Sequence, residues 1–192
     1  MMKIADSLFE GQHICLAPID HEKDAEIETK WTHDASYMRM LSIDPMRPLS
    51  VAHLKKKYEA IEKEQEESRN SFYFTIRMRE DDRLIGFIQL TWIEWSNGNA
   101  WMRLGIGDAE ARRHGYGSEA LRMILRYAFA ELNLYRLTVS IPEYNTIALH
   151  VAQKAGFVEE VRRRQAVNRD GKRWDLISLG ILRQEWEASN AS

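Results

Sequence analysis

The segment from residue 112 to residue 118 contains the residues best suited to chemistry. It reads Arg-Arg-His-Gly-Tyr-Gly-Ser and lies between a predicted strand and a predicted helix. Two glycines two positions apart let the backbone turn tightly and approach a ligand closely. Free N–H groups and the positive dipole end of a helix attract anions. With Arg112, Arg113 and His114 adding positive charge, the segment predicts a site for a diphosphate-bearing ligand. An ordinary glycine-rich turn with solvated arginines is the alternative.

The same segment also fits a loose dinucleotide-binding fingerprint, Gly115-x-Gly117-x-x-Ala120. That fingerprint belongs to a parallel β-α-β unit, whereas the strands predicted before it form an antiparallel meander. It also does not call for an arginine three residues before the first glycine. A dinucleotide-dependent oxidoreductase is therefore disfavoured.

The elements that must position this segment follow from hydrophobic periodicity and turn residues. Asp20 and Ser50 are predicted to cap the first two helices, and residues 32–48 form the connection between them. The predicted strands are 12–17, 72–77, 84–95, 101–107, 137–141, 157–167 and 173–183, and the predicted helices are 20–31, 51–68, 117–132 and 145–155. This order predicts an α/β (α+β) fold: a mixed, mostly antiparallel twisted sheet of about seven strands, flanked by about four helices. We expect a single domain over residues 1–192.

Composition excludes several functional classes. The 192-residue chain has 27 Lys and Arg against 29 Asp and Glu, a net charge of -2, which argues against a strongly basic nucleic-acid-binding protein. Its single cysteine, Cys15, excludes an intramolecular disulfide and a Cys-based zinc site, so we expect no metal. No apolar run reaches the roughly 18 residues of a membrane helix, and residues 1–6 lack the apolar core of a secretion signal. The predicted location is cytoplasmic.

Two blocks of residues carry a family resemblance. Arg112, Gly115 and Gly117 match the signature Gln/Arg-x-x-Gly-x-Gly/Ala. One predicted strand later, Asn145-x-x-Ala148 opens a helix that closes with Lys154-Ala-Gly-Phe. With the predicted order of elements, the sequence resembles the GNAT superfamily of acetyl-CoA-dependent N-acetyltransferases. The tail from residue 171 to residue 186, and Trp31 followed by Asp34, are similar to the branch that contains the ribosomal-protein N-terminal (Rim-type) acetyltransferases.

The resemblance implies a cofactor site for acetyl-CoA. The loop would bind the pyrophosphate through backbone N–H groups, and the strand at Leu104 to Ile106 would bond the pantetheine arm. The neighbouring strand, 135–141, would part from it and leave a slot. The implied cofactor-binding residues are Leu104, Ile106, Arg112, Arg113, His114, Gly115, Tyr116, Gly117, Ser118, Asn145 and Lys154. The implied chemistry is direct transfer, in which an amine attacks the thioester and a thiolate leaves.

Three catalytic groups that are usual in the family are missing. Ala152 stands where many members have a tyrosine, Ala148 where some have a serine, and residues 100–102 where others have a glutamate. His150 lies two residues from Ala152, about 200° around the helix, and is predicted to face away from the thioester. The catalytic candidates are then Asn145, Glu94 and Asp175, although both carboxylates also fit ordinary surface positions. The missing groups favour one alternative, a non-catalytic acyl-CoA-binding or regulatory module.

The acceptor is predicted from charge. The connection 32–48 and the turn 168–171 should border the acceptor, and their charges are mixed, with Arg162, Arg163 and Arg164 nearby. A polyamine site should be densely acidic. We therefore expect a small amine or a peptide or protein N-terminus, with a polyamine or an aminoglycoside as alternatives. Trp92, Trp95, Trp101 and Trp174 could wall the acceptor cleft, although tryptophan more often packs in a core or an interface. The remaining predicted partner is a second copy of the chain in a homodimer, with no nucleic acid and no membrane.

Overall fold

The computed structural model of the chain describes residues 7–190, in which seven strands form one sheet in the order β1-β2-β3-β4-β5-β7-β6. All neighbouring strands are antiparallel except β4 and β5. The strands are β1 (Ile14–Ala17), β2 (Phe72–Met78), β3 (Leu84–Glu94), β4 (Asn99–Ile106), β5 (Arg136–Pro142), β6 (Val158–Arg169) and β7 (Lys172–Leu182). The predicted fold class is confirmed. The predicted single domain also included residues 1–6 and 191–192, which lie outside the described residues.

Six α-helices accompany the sheet in the described part of the chain, rather than about four. They are α1 (Lys23–Thr32), α2 (Ala35–Leu41), α3 (Val51–Glu67), α4 (Tyr116–Arg126), α5 (Thr146–Lys154) and α6 (Arg183–Asn190), and a π-helical turn at Tyr127–Glu131 continues α4. The additional helix α2 lies inside the predicted connection 32–48, and α6 follows β7 directly. Two helices begin at the expected type of cap, because Ser50 accepts a hydrogen bond from the His53 N–H and Asp34 accepts one from the Tyr37 N–H.

The helices pack on both faces of the sheet. Alternate residues of β2 show the two layers, since alternate side chains of a strand project to opposite faces. On one face Arg77 pairs with Asp24 of α1 at 2.5 Å, and Tyr73 packs on Tyr58 of α3. On the other face Phe72 and Phe74 pack on Tyr127. The apolar side of α4, with Leu121, Ile124 and Leu125, is buried against this second face as its spacing predicts.

The centre of the sheet opens between β4 and β5. Only three residue pairs join these strands: Asn99 with Arg136, Ala100 with Leu137, and Trp101 with Thr138. Beyond them β4 continues to Ile106 and β5 to Pro142 without pairing to each other, while β4 stays paired with β3 and β5 with β7. The two strands therefore enclose a wedge, at the place where a slot was predicted.

Candidate active site

Two connected clefts occupy the wedge. The inner cleft, about 620 Å³, lies between the separated parts of β4 and β5, and the loop cleft, about 380 Å³, lies at the start of α4. The residues common to both are Met40, Leu41, Leu104, Asn145, Ala148 and Val151. Together the clefts form one groove, bordered by the C-terminal end of α2 and by α5.

The inner cleft passes through the sheet. Met102 and Leu104 line it, and so do Trp101 and Arg103. Alternate residues of a strand project to opposite faces, so the cleft is reached from both sides. On the α4 and α5 side its walls are apolar, with Leu121, Ala148 and Ala152. On the α3 side its walls are polar and aromatic, and two different molecules can therefore meet in the middle of the sheet.

The loop cleft has the form of an anion cradle. Gly115 adopts a left-handed backbone (φ 87°) immediately before α4, a conformation that glycine tolerates best. The first intrahelical bond runs from Glu119 N to Gly115 O, so the N–H groups of residues 116–118 have no acceptor within the helix. A β-carbon on Gly117 would lie 3.6 Å from Ile106 Cγ1 and 4.0 Å from Leu104 Cδ2. The bare backbone of Gly117 therefore keeps the floor of the cleft open.

Arg112 is engaged by the protein itself. Its Nη2 donates to Asp34 Oδ2 at 2.8 Å and to the Gly107 carbonyl at 2.6 Å, and its guanidinium lies 5.3 Å from the centre of the Tyr37 ring. Partial burial opposes ionisation of Asp34, but the bonds from Arg112 and from the Tyr37 N–H outweigh it and hold the Asp34 pKa below its usual value. Arg112 therefore joins the loop to the start of α2, and Arg113 is the arginine that presents an exposed charge to the loop cleft.

The structure brings most of the predicted cofactor residues to the groove. Those that line it are Leu104, Ile106, Arg112, Arg113, Gly115, Gly117, Ser118 and Asn145. Three others lie outside it. His114 stacks on Tyr116 with ring centres 5.8 Å apart, and Lys154 is exposed at the C-terminal end of α5. The stacked rings of His114 and Tyr116 therefore belong to the outer surface of the loop and not to the wall of the groove.

Asn145 connects α5 to α2 across the groove. Its Oδ1 accepts a hydrogen bond from the Ala148 N–H and caps α5, while its Nδ2 donates to the Met40 carbonyl at 3.0 Å. The neighbouring Tyr144 hydroxyl donates to the Arg39 carbonyl at 2.9 Å. Asn145 is thus both the N-cap of α5 and a residue that lines the groove.

The two predicted catalytic carboxylates do not line either cleft. Glu94 accepts hydrogen bonds from the amides of Asn97 and Asn99, which hold the turn between β3 and β4. Asp175 accepts from the Gln165 N–H at 2.9 Å and from Arg162 at 3.1 Å, and these two bonds hold its pKa below the usual value. Each carboxylate is occupied by neighbours on its own hairpin, away from the wedge.

The helix geometry expected for α5 holds. Ala148 and Ala152 face the inner cleft, while His150 is exposed and does not line it. The two positions where a family member would present a hydroxyl group therefore carry methyl groups.

Four charged residues line the inner cleft: Asp44, Glu64, Arg103 and Arg163. Asp44 belongs to the connection 32–48 that was expected to border the acceptor, and Arg163 was expected nearby, whereas Glu64 and Arg103 were not predicted. Glu64 belongs to a run of charged residues on α3 that, as a pattern, indicates only a solvated helix face. Its carboxylate has no hydrogen-bond or ion-pair partner among residues 7–190. Arg103 could have been proposed from strand alternation, because it shares a face with Trp101, whereas nothing in the sequence reveals that α3 crosses near β4.

Within residues 7–190, no group of three or more His, Cys, Asp or Glu side chains is arranged to hold a metal ion. In the same part of the chain, no helix combines the length and the apolarity needed to cross a bilayer.

Comparisons with known proteins agree with this geometry. The family model described as Acetyltransferase (GNAT) domain matches residues 13–158. The chain is 33% identical over 132 residues to "Probable N-acetyltransferase YjcK" of Bacillus subtilis, covering 67% of this chain and 68% of the relative. It is 31% identical over 107 residues to YdaF of the same organism, whose name describes a ribosomal N-acetyltransferase, covering 56% of this chain and 58% of YdaF.

Solved structures give the same fold. The spermidine N-acetyltransferase from Vibrio cholerae, in complex with CoA and spermine, superposes with a TM-score of 0.79 at 20% identity. The match covers 91% of this chain and 98% of that protein. At this identity the likeness establishes the fold and leaves the acceptor to be argued from the cleft.

Proposed function

The chain belongs to the GNAT acetyltransferase family and is an acetyl-CoA-dependent N-acetyltransferase, and we propose that its acceptor carries a single amine beside other polar groups. A peptide or protein N-terminus is the acceptor class that fits best. The observation that carries this proposal is the balanced charge of the inner cleft, which is lined by two carboxylates, Asp44 and Glu64, and by two guanidinium groups, Arg103 and Arg163.

The loop cleft supports binding of acetyl-CoA by residues of this chain. The N–H groups of residues 116–118 and the exposed Arg113 would hold the diphosphate. Along β4, from Met102 to Ile106, the backbone edge that faces the wedge is unpaired with β5 and is open to the amides of the pantetheine arm. When bound, acetyl-CoA supplies an activated acetyl group as its thioester. Holding the amine and the thioester in the correct relative orientation accounts for much of the rate of a direct transfer between two bound molecules.

The charge of the inner cleft argues against a polyamine. Spermidine presents three cations in a row, and a site for it should carry a clear surplus of negative charge. Here the two carboxylates are offset by the two arginines. A peptide N-terminus presents one amine together with carbonyl and N–H groups, which suit Gln89, Thr91 and Arg103 on the cleft wall. The ribosomal name of YdaF points to the same acceptor class, whereas the spermidine enzymes share the fold at lower identity.

The acceptor amine must lose a proton before it attacks. Asp44 and Glu64 are the carboxylates that line the inner cleft, and Asp44 also accepts a hydrogen bond from the Ser42 hydroxyl. We propose Glu64 as the group that takes the proton, directly or through water, because its carboxylate has no competing partner among the described residues. This assignment replaces Glu94 and Asp175, which are held outside the cleft.

A side-by-side thiol-release assay tests the proposal. N-terminal peptides, spermidine and an aminoglycoside are compared at equal concentration with saturating acetyl-CoA. We expect the highest kcat/KM for a peptide. Efficient turnover of spermidine without activity on any peptide would overturn the acceptor assignment. Binding of acetyl-CoA without turnover of any amine would support the non-catalytic alternative.

A further inference from the structure

Two tryptophans stand at the mouth of the inner cleft on its α3 side. Trp92 and Trp101 both line the cleft, and their rings meet edge to face with centroids 6.1 Å apart. Trp92 is 71% exposed and Trp101 is 38% exposed. Large apolar rings left this open contribute little to the core, and grouped exposed apolar surface beside a cleft is typical of a binding surface.

The backbone directs the Trp92 ring to this position. Thr91 is paired with Trp101 across β3 and β4, so in a regular strand the next residue, Trp92, would project to the opposite face of the sheet. A bulge between Thr91 and Glu94 shifts the register, and Trp92 adopts a left-handed backbone (φ 50°). The ring consequently lies on the same side as Trp101. Bulges are common next to active sites, where they redirect a side chain.

A left-handed conformation is a strained one for a bulky residue. Glycine or asparagine would adopt it at lower cost. Because the Trp92 ring is largely exposed, its packing does not offset the free-energy cost of this backbone conformation. A residue held in such a conformation at the edge of a cleft is a candidate for a functional role.

We propose that Trp92 and Trp101 form an acceptor subsite for a large apolar group, preferably aromatic, carried close to the amine. The inference rests on the proposed acetyltransferase function and narrows its acceptor class. Aromatic rings attract one another edge to face or in offset stacks, and the open face of Trp92 has room for a third ring. The source of that ring is either the first residues of a peptide or a small arylalkylamine.

The substrate test uses paired acceptors. A peptide beginning with Phe is compared with one beginning with Ala, and phenethylamine is compared with butylamine. We expect kcat/KM to be roughly tenfold higher for at least one aromatic acceptor than for its aliphatic match, the size typical of an aromatic contact plus its buried area. A preference in the peptide pair identifies a peptide acceptor, and a preference in the amine pair alone identifies a small amine. Equal values within both pairs would overturn the subsite.

The variant test uses Trp92→Ala with Trp95→Ala as its matched control. Trp95 is 46% exposed but packs on Phe72 outside both clefts. We expect Trp92→Ala to raise KM for the aromatic acceptor by roughly tenfold, to leave KM for acetyl-CoA unchanged, and to be largely rescued by Trp92→Phe. Trp95→Ala should change neither constant. Equal effects of the two alanine variants would overturn the proposal.

A glycine variant separates binding from structure. Trp92→Gly removes the ring and also relieves the left-handed strain, so we expect a higher melting temperature together with the same rise in acceptor KM. A fall in melting temperature with unchanged KM would show that the ring is structural. A change of oligomeric state in light scattering with unchanged KM would show that the pair is a contact between chains. Either result overturns the subsite, while continued acetyl transfer by the wild-type protein would keep the proposed function intact.

Discussion

The substitution Gly117→Val tests the anion cradle directly. The β-carbon would lie 3.6 Å and 4.0 Å from the side chains of Ile106 and Leu104, which are ordinary contact distances, so the native backbone can accept it. Gly117 lies in the first turn of α4, where valine is a slightly better helix former than glycine. We therefore expect the free energy of unfolding to stay within about 0.5 kcal/mol of the wild type.

The same side chain should abolish tight binding of acetyl-CoA. Its two methyl groups would occupy the floor of the loop cleft, between the N–H groups of α4 and the end of β4. A displaced diphosphate would lose at least two hydrogen bonds to a charged group, each contributing about 1.5 kcal/mol or more. The sum, about 3 kcal/mol, corresponds to a loss of affinity of roughly 100-fold. Isothermal titration with CoA and acetyl-CoA measures the affinity, and thermal unfolding measures the stability.

Two glycines with positive φ provide the controls. Gly115→Ala should cost about 1–2 kcal/mol of stability, because a left-handed backbone is unfavourable for alanine. Gly171→Ala introduces the same strain at φ 70° in the turn between β6 and β7, and in both cases the added β-carbon meets nothing within 4 Å. Only the change at Gly115 should also affect CoA binding. If Gly117→Val binds acetyl-CoA within about threefold of the wild type, the cradle is assigned to the wrong residues.

Three further changes test other parts of the site. Glu64→Gln should lower kcat by roughly 100-fold or more in the thiol-release assay. The matched change Glu94→Gln, outside the cleft, should leave kcat near the wild-type value. Equal effects of the two changes would refute the assignment of Glu64. Asp34→Asn keeps an oxygen to cap α2 but cannot accept from Arg112, and should lower the free energy of unfolding by about 1 kcal/mol at pH 7. Because the Asp34 pKa is depressed in the folded protein, this stabilisation is present above the unfolded value of about 3.9 and is lost as the pH falls through the folded value. The urea-unfolding curves of the two proteins should therefore converge as the pH is lowered below the unfolded value. His150→Ala should keep turnover near the wild-type value, and a hundredfold loss with retained fold would show that the histidine acts in the cleft.

The elements with long periodic patterns could be predicted from the sequence. The apolar face of α4 and the alternation along the central strands depend on local spacing, which the fold preserves. The short elements could not. The helix α2 has seven residues and one buried side chain, Tyr37, so its pattern is too brief to stand out. No described residue of α6 is buried, and α6 therefore has no apolar stripe to detect. Asp20 accepts hydrogen bonds from the N–H groups of Glu22 and Lys23, but α1 starts at Lys23 instead of directly after this residue.

The loop cleft, which we propose for acetyl-CoA, could be predicted from the sequence, whereas most residues of the proposed acceptor mouth could not, for a physical reason. The cradle is local: a strand end, two glycines and a helix start follow one another in the chain, so their spacing specifies their geometry. The acceptor mouth collects residues from α3, β3, β4 and β6, including Glu64, Trp92, Arg103 and Arg163. Their approach depends on how helices cross the sheet and on a bulge in β3. Neither feature leaves a periodic signal in the sequence.

The arginine of the glycine-rich motif shows how the two sides are joined. Arg112 holds Asp34, and Asp34 caps α2. At the other end of α2, Met40 and Leu41 border both clefts, and the Met40 carbonyl receives the hydrogen bond from Asn145. The loop 112–118, α2 and the start of α5 are therefore linked by the side chains of Arg112, Asp34 and Asn145. Apolar packing of Tyr37, Met38 and Leu41 of α2 beside Trp31 and Leu84 acts together with these polar contacts to fix the position of α2 beside the groove. Arg112 thus connects the loop cleft, through Asp34 and α2, to residues that also line the inner cleft.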